Sequence, residues 1–387
     1  MADEEIIIEN ENLLPEGLSD FLAPDASKRS YIKIKLCEYI SSFGYNLVEP
    51  PLVEFEKTLL SGLGESTKDK IFRFIDPSTQ NILAIRADMT SQIGRIVSTR
   101  LRSNHRPLRV MYSGDVLIVN GKQIKPERQF SQLGFELISK ESIVADSEIL
   151  FVAINSLSSV GIDSISLDIS IPSLLSDILI RHQLNNQELE FINNALFQRD
   201  IDIISKVKDD LSQLLISLID FSGSINNAHA ILNLDYLNQN DINKIESIFK
   251  LTDIIQKIKP KLKITVDFVE NSDFNYHTGI TFRIFSSINS KELGRGGRYQ
   301  INHENGKKED ATGFTFFTDY LTDIISEIPE KFIIYVQRNI DLKKINEFRM
   351  SGYRVIFSLS DNDFSITNAK RLGCTHFFDG VELKECK

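Results

Sequence analysis

Residues 109–138, RVMYSGDVLIVNGKQIKPERQFSQLGFELI, constrain the fold of this 387-residue chain more than any other stretch. They read as a strand, a polar loop opening with Asn120-Gly121, and a second strand. That pattern predicts an antiparallel hairpin with an extended tip. A second hairpin is predicted from 71–75 and 82–86, joined by Asp76-Pro77-Ser78-Thr79-Gln80-Asn81. Helices are expected apart from these hairpins. In 24–43, Ile32, Leu36, Ile40 and Phe43 recur at helical spacing behind Pro24-Asp25, and 141–160 is also read as helical. Ile165, Leu167, Ile169 and Ile171 alternate as a strand, and strands return at 264–268, 279–285 and 313–317. Strands grouped in antiparallel hairpins with helices apart make the main domain α+β.

Residues 172–260 differ in character, being rich in Leu, Ile, Asn and Asp. Ile204, Val207, Leu211, Leu215 and Leu218 fall on one helical face, and an all-helical insertion of about four helices is expected. From 331 to 387 the pattern changes to strand–helix–strand–helix–strand. A separate small α/β unit with a parallel sheet is therefore expected there, with 1–330 as the main domain.

Composition narrows the class. The chain is 42% hydrophobic and 25% charged, ordinary for a soluble globular protein. The acidic start, MADEEIIIEN, has neither a basic region nor a long apolar run, so neither a signal peptide nor a membrane-spanning helix is expected. Cys37, Cys374 and Cys386 have no metal or redox spacing, which fits a reduced cytoplasmic setting without a metal site. The net charge of −10 argues against a dedicated nucleic-acid binder. The run Gly294-Arg295-Gly296-Gly297-Arg298-Tyr299 has neither the GxxxxGK[ST] nor the GxGxxG spacing of phosphate loops. Its glycines are expected to permit close strand approach.

Several ordered segments over roughly 14–330 resemble histidyl-tRNA synthetases of the class II aminoacyl-tRNA synthetase family. Gly44 to Pro51 is similar to motif 1. Gly62 to Asp69 is similar to the loop after it, and Gln129-Phe130-Ser131-Gln132-Leu133-Gly134-Phe135-Glu136 to motif 2. Leu83 to Thr90 sits where the family has Leu-Arg-Pro-Glu-Gly-Thr. Asn275 to Phe282 and Gly296-Gly297-Arg298-Tyr299 resemble the histidine-specific and second glycine-rich segments. The resemblance implies a class II antiparallel sheet core with a helical insertion. It also implies a pocket in which Asp88, Thr90 and Gln132 hold an ammonium group and Glu136 accepts from an imidazole. Tyr276 and Tyr299 would supply aromatic walls, with His277 in place of a family tyrosine. Asp88 is one methylene shorter than the family's glutamate. The other reading of these residues is a set of buried polar groups that satisfy one another.

The departures concern the cations. Ile118, Ser272 and Tyr320 stand where synthetases carry arginines that grip ATP and the amino-acid carboxylate. Loss of one such donor slows catalysis by roughly 10²–10³-fold, so aminoacyl-adenylate synthesis is not expected. Arg86, Arg128, Arg295 and Arg298 remain, either to hold an anion or as structural ion pairs.

A synthetase-like body without these arginines resembles the regulatory subunits of ATP phosphoribosyltransferase. That resemblance implies a non-catalytic chain without a cofactor, acting in the first step of histidine biosynthesis. It would form a homodimer through the class II core, join a short-form catalytic subunit in a hetero-octamer, and relay feedback by histidine. That histidine would bind either in this pocket or, since Ile118 and Ser272 cannot grip a carboxylate, elsewhere, for instance between subunits. The alternatives are a divergent histidyl-tRNA synthetase, for which 331–387 is short as an anticodon-binding domain, and a free-standing histidine- or RNA-binding paralogue.

Overall fold

The computed structural model describes residues 13–60, 70–121, 127–270, 277–325 and 332–386, with Asp209 described by its backbone alone. Ser272, Tyr276, the 62–69 segment and most of the 109–138 hairpin tip lie outside the described residues. The chain divides after Ile325 into two compact units.

In the first unit, helix α1 (Asp25–Ser41) buries Ile32, Leu36 and Ile40 at the expected spacing. Strand β1 (Asn46–Leu47) follows, then β2 (Val53–Phe55), the short α2 (Glu56–Leu60), β3 (Arg73–Ile75) and β4 (Ile82–Ile85). Strands β2, β4 and β3 form a small antiparallel sheet, and Asp76 closes the β3–β4 turn by accepting from Ser78 and Thr79. Helix α3 (Thr90–Ser98) leads to the long hairpin β5 (Leu108–Leu117) and β6 (Gln129–Ile138), paired from Leu108↔Ile138 to Leu117↔Gln129. Next come α4 (Ile143–Ser159), whose start is capped by Ser142 accepting from Ala145, and β7 (Ile165–Ser170).

The insertion is less uniform than its composition suggests. It holds α5 (Pro172–Arg181), α6 (Asn186–Gln198), α7 (Ile201–Ile204), α8 (Asp209–Phe221), the two-residue strand β8 (Gly223–Ser224), α9 (Ile225–Ala228), a 3₁₀ turn at His229–Asn233 and α10 (Gln239–Ile258). Thus four helices of ten residues or more are joined by two single-turn ones, and the segment is not all-helical. The apolar face over 204–218 spans a break: Ile204 ends α7, while Leu211, Leu215 and Leu218 belong to α8 and are buried. A four-residue helix is too short to show a period, so spacing alone merged the two. Asn185–Glu188 and Asn238–Asp241 form reciprocal capping boxes that start α6 and α10.

Strands β9 (Lys263–Asp267), β10 (His277–Ser286), β11 (Glu292–Asn302) and β12 (Lys308–Phe317) and helix α11 (Thr318–Ile324) complete the unit. Its main sheet has the order β1-β5-β6-β12-β11-β10-β7-β9-β8 among the described residues. The centre, β5 to β7, is antiparallel; β1–β5 and β7–β9 are parallel pairs. One face is aromatic and aliphatic. Phe135, Phe282, Phe314 and Phe316 lie with ring centroids 4.9–6.4 Å apart in the core shared with α1 and α4. The opposite face carries polar groups such as Gln132, Glu136 and Thr315, beside a second apolar cluster in which Val110, Ile138 and Ile301 pack with Ile93, Ile96 and Val97 of α3. Within β11, Cβ atoms on Gly294 and Gly296 would strike the β12 carbonyls of Thr315 and Gly313, which is the close strand approach expected of that run.

The second unit contains β13 (Ile333–Val336), α12 (Leu342–Met350), β14 (Arg354–Phe357), α13 (Ile366–Arg371), β15 (His376–Phe378) and β16 (Leu383–Glu385). Its sheet order is β14-β13-β15-β16. The three strands expected from sequence are parallel. The fourth, β16, turns back antiparallel along β15, so the sheet is mixed. Three residues, Leu-Lys-Glu, carry no alternation by which to recognise it.

Candidate functional site

The polar sheet face is hollowed where β6, β12, β11 and β10 meet the turn into α3. Asp88, Thr90, Gln132, Glu136, His277 and Tyr299 line a solvent-open cavity of about 440 Å³ counted with the solvent at its mouth, together with Arg295, Gly296, Gly297, Gly313, Thr315 and Phe317. The two walls have different chemistry.

One wall is built from amide and carboxylate groups. Asp88 accepts from the Thr90 backbone N–H at 3.0 Å, which fixes the turn before α3. Gln132 clamps the same turn. Its Nε2 donates to Asp88 Oδ1 at 3.2 Å and its Oε1 accepts from Met89 N at 3.3 Å. Burial raises the Asp88 pKa, with Gln132 opposing the rise. A ligand ammonium would supply the counter-charge that favours ionisation.

At the other wall, Glu136 is 2% exposed. Its Oε1 accepts from the Tyr112 hydroxyl at 3.1 Å. With that proton committed, the Tyr112 oxygen accepts from Thr315 at 2.8 Å and from Thr90 at 3.3 Å, linking the two walls. Burial pushes the Glu136 carboxyl up to about 8, against hydrogen bonding from Tyr112 and Tyr299. His277 Nδ1 lies 3.3 Å from the Arg298 carbonyl oxygen. A carbonyl only accepts, so Nδ1 carries the proton. Burial pushes this imidazole down to about 4, and it is neutral at pH 7.

Glycine lets Glu136 reach its place. A Cβ on Gly313, directly across the ladder from Glu136, would collide with the carboxylate. We expect Gly313→Ala to expel that carboxylate and lower stability by about 1–3 kcal/mol, read as a fall in the urea midpoint. An unchanged midpoint would mean that Glu136 rests elsewhere.

The retained arginines separate. Arg86 donates to the carbonyls of Asp115 at 2.7 Å and Pro50 at 3.0 Å. Arg298 is buried against Asp146 and Glu141. Arg128 donates to the carbonyls of Ile118 and Glu16. These three hold the fold together, and Arg295 alone of the four lines the cavity. Ile118 packs against a small apolar cluster of Leu59, Ile71, Ala84 and Ala87. Tyr320 sits half-buried, its ring 6.1 Å from Phe317 and 5.8 Å from Lys291 Nζ. Among the described residues, no group of three or more His, Cys, Asp or Glu is placed to hold a metal ion, and no helix is long and apolar enough to cross a membrane.

Tyr112, Thr315 and Phe317 were not singled out by sequence reasoning, and Arg295 was named only as one of four arginines that could hold an anion or form a structural ion pair. Each occupies a strand position whose alternation is already explained by the sheet. The available signal was register, since Thr315 and Phe317 lie opposite Gly134 and Gln132.

Comparison with known proteins places this geometry. Residues 17–321 match the family model described as histidyl-tRNA synthetase. The chain is 35% identical to an ATP phosphoribosyltransferase regulatory subunit of Rhodospirillum centenum, covering 96% of each chain. It is also 35% identical to one of Paramagnetospirillum magneticum, covering 95% of this chain and 96% of that one. Among solved structures, an ATP phosphoribosyltransferase regulatory subunit/histidyl-tRNA synthetase from Bacillus halodurans superposes with a TM-score of 0.78 at 21% identity, over 93% of this chain and 97% of that one. Histidyl-tRNA synthetase from Nostoc gives 0.72 at 16% identity, over 97% and 95%. These two likenesses establish the class II synthetase-like fold.

Proposed function

The chain belongs to the family of ATP phosphoribosyltransferase regulatory subunits, paralogues of histidyl-tRNA synthetase, and we propose that its polar cavity is the histidine-sensing site of the assembly. It acts as a non-catalytic regulatory subunit in histidine biosynthesis. The observation that carries this conclusion is a likeness running the whole length of both chains. The hydrocarbon cluster around Ile118 agrees with it, since an alkyl side chain offers a phosphate neither charge nor donor.

The partner is a catalytic subunit that joins ATP to phosphoribosyl pyrophosphate. In our reading that subunit is the short form, this chain dimerises through its class II core, and the two assemble as a hetero-octamer in the cytoplasm. Feedback requires histidine to bind two states of the assembly with different affinity. Asp88, Thr90 and Gln132 suit the ligand's ammonium; Glu136, with Tyr299 and His277 beside it, suits the imidazole. Tyr276 is proposed as a further aromatic wall.

The test is phosphoribosyl-ATP formation by a short-form catalytic subunit from the same source, with and without this chain, then with added histidine. Activation on mixing and inhibition by histidine are expected. No change in rate and no co-elution would sink the reading, and histidine-dependent ATP–pyrophosphate exchange would then become the measurement of interest.

A further inference from the structure

We propose that Arg295 is the carboxylate anchor of this cavity, so that the ligand is a free, zwitterionic amino acid gripped at all three of its polar groups. The assignment rests on the reading of the cavity as a histidine site and adds the group that reading lacks. Ile118 lies in an apolar cluster, and no other cation among the described residues lines the cavity.

Strand register places the guanidinium. Gln132, Gly134 and Glu136 alternate along one face of β6, opposite Phe317, Thr315 and Gly313 of β12. Thr315 in turn lies opposite Arg295 of β11. Arg295 therefore occupies the middle row, between the row of the ammonium acceptor Gln132 and that of the imidazole partner Glu136. Those two rows are about 14 Å apart, each about 7 Å from the middle one. Arg295 starts two strands from Gly134, roughly 10 Å, a distance that its long side chain largely spans.

The arginine is also held in place. Its Nε and Nη2 donate to Glu292 at 2.5 and 2.6 Å, and the Phe317 ring centroid lies 5.5 Å from its Cζ. Residues three apart on a regular strand point to opposite faces. Here the ladder slips: Ile284 pairs with Gly294 but Phe285 with Glu292, leaving Leu293 as a bulge. The bulge turns Glu292 onto the face of Arg295. Bulges beside functional sites often re-aim a side chain in this way. A ligand carboxylate can share a guanidinium that is already forked to Glu292. Asp88 at one wall and Arg295 at the other match the two charges of a free amino acid, whereas an amine or an esterified amino acid satisfies only the first.

The test is calorimetric titration of the full chain, wild type and Arg295→Gln, with histidine and with histamine, which lacks the carboxylate. Arg295→Gln is expected to lose roughly tenfold to a hundredfold in histidine affinity and to leave histamine affinity unchanged. Wild type should prefer histidine over histamine by a similar factor. Equal losses for both ligands, or no loss for either, would overturn the assignment while leaving the histidine pocket standing. If wild type binds neither ligand, the pocket reading falls and this assignment with it. Activation of the catalytic subunit, measured separately, would still report on the regulatory role.

Discussion

Replacing Arg298 by methionine is expected to cost the fold about 3–5 kcal/mol, the usual penalty for removing one partner of a buried ion pair. Asp146, on α4, has no exposed side-chain surface, and the Arg298 side chain, on β11, is 7% exposed. Arg298 Nε donates to Asp146 Oδ1 at 3.3 Å, and its Nη2 reaches Oδ2. Its Nη1 bonds Glu141, which is largely exposed and can turn to water. Asp146 cannot, so the variant strands a carboxylate between sheet and helix. The arginine stem also lies over Gly279, where a Cβ would sit 2.9 Å from its Cδ. The pair therefore anchors β11 and β10 to α4 beneath the cavity. Urea unfolding of Arg298→Met should show the loss, and Arg298→Met combined with Asp146→Leu should recover much of it. A single-variant loss below about 1 kcal/mol would place the pair in the class of solvated surface bridges.

That pair also marks the limit of what the sequence could tell. Arg298 belongs to a run read as glycine-rich, and its partner lies 152 positions earlier. The 109–138 hairpin was legible because two apolar runs flank a polar segment. Likewise the 71–86 hairpin follows from Asp76, which folds its own turn. In α1, Ile32, Leu36 and Ile40 announce themselves by spacing. Tyr112, by contrast, looks like any strand aromatic; only the β5–β6 register, which sets it opposite Gly134, brings its hydroxyl to Glu136. The break between α7 and α8 and the strand β16 escaped because elements of three or four residues contain no period to read. Asp88, Thr90, Gln132, Glu136, His277 and Tyr299 were named through resemblance. Their convergence on one cavity is a product of strand pairing, not of proximity along the chain.

Glu136→Gln is expected to change the pH dependence of stability more than any other single substitution in the cavity. The carboxyl titrates at about 8 in the folded chain, against 4.5 for an unperturbed glutamate. Between those values the folded state keeps a proton that the unfolded state has released. The unfolding free energy therefore falls by about 1.4 kcal/mol per pH unit across that window. The contribution is full below about pH 4.5 and is lost as pH rises through 8. Glutamine has the same shape, can accept from Tyr112 and does not titrate, so the variant should gain on wild type steadily from pH 5 to pH 8, by several kcal/mol in all. Asp88, whose pKa is also raised by burial, remains in both chains and largely cancels in the difference. Denaturant midpoints of the two chains at pH 5, 6, 7 and 8 would measure it, and parallel curves would mean that Glu136 is ionised in the folded state. The same titration bears on the ligand. A neutral imidazole entering beside a protonated Glu136 brings the proton count of an imidazolium–carboxylate pair, so near neutral pH the proton only has to move between them. Above about pH 8 the complex must draw that proton from solvent. Below the imidazole's own pKa of about 6.5 it must release one. Histidine affinity in wild type should therefore peak between those limits, and Glu136→Gln, with no proton to exchange, should lose the alkaline fall while keeping the acid one.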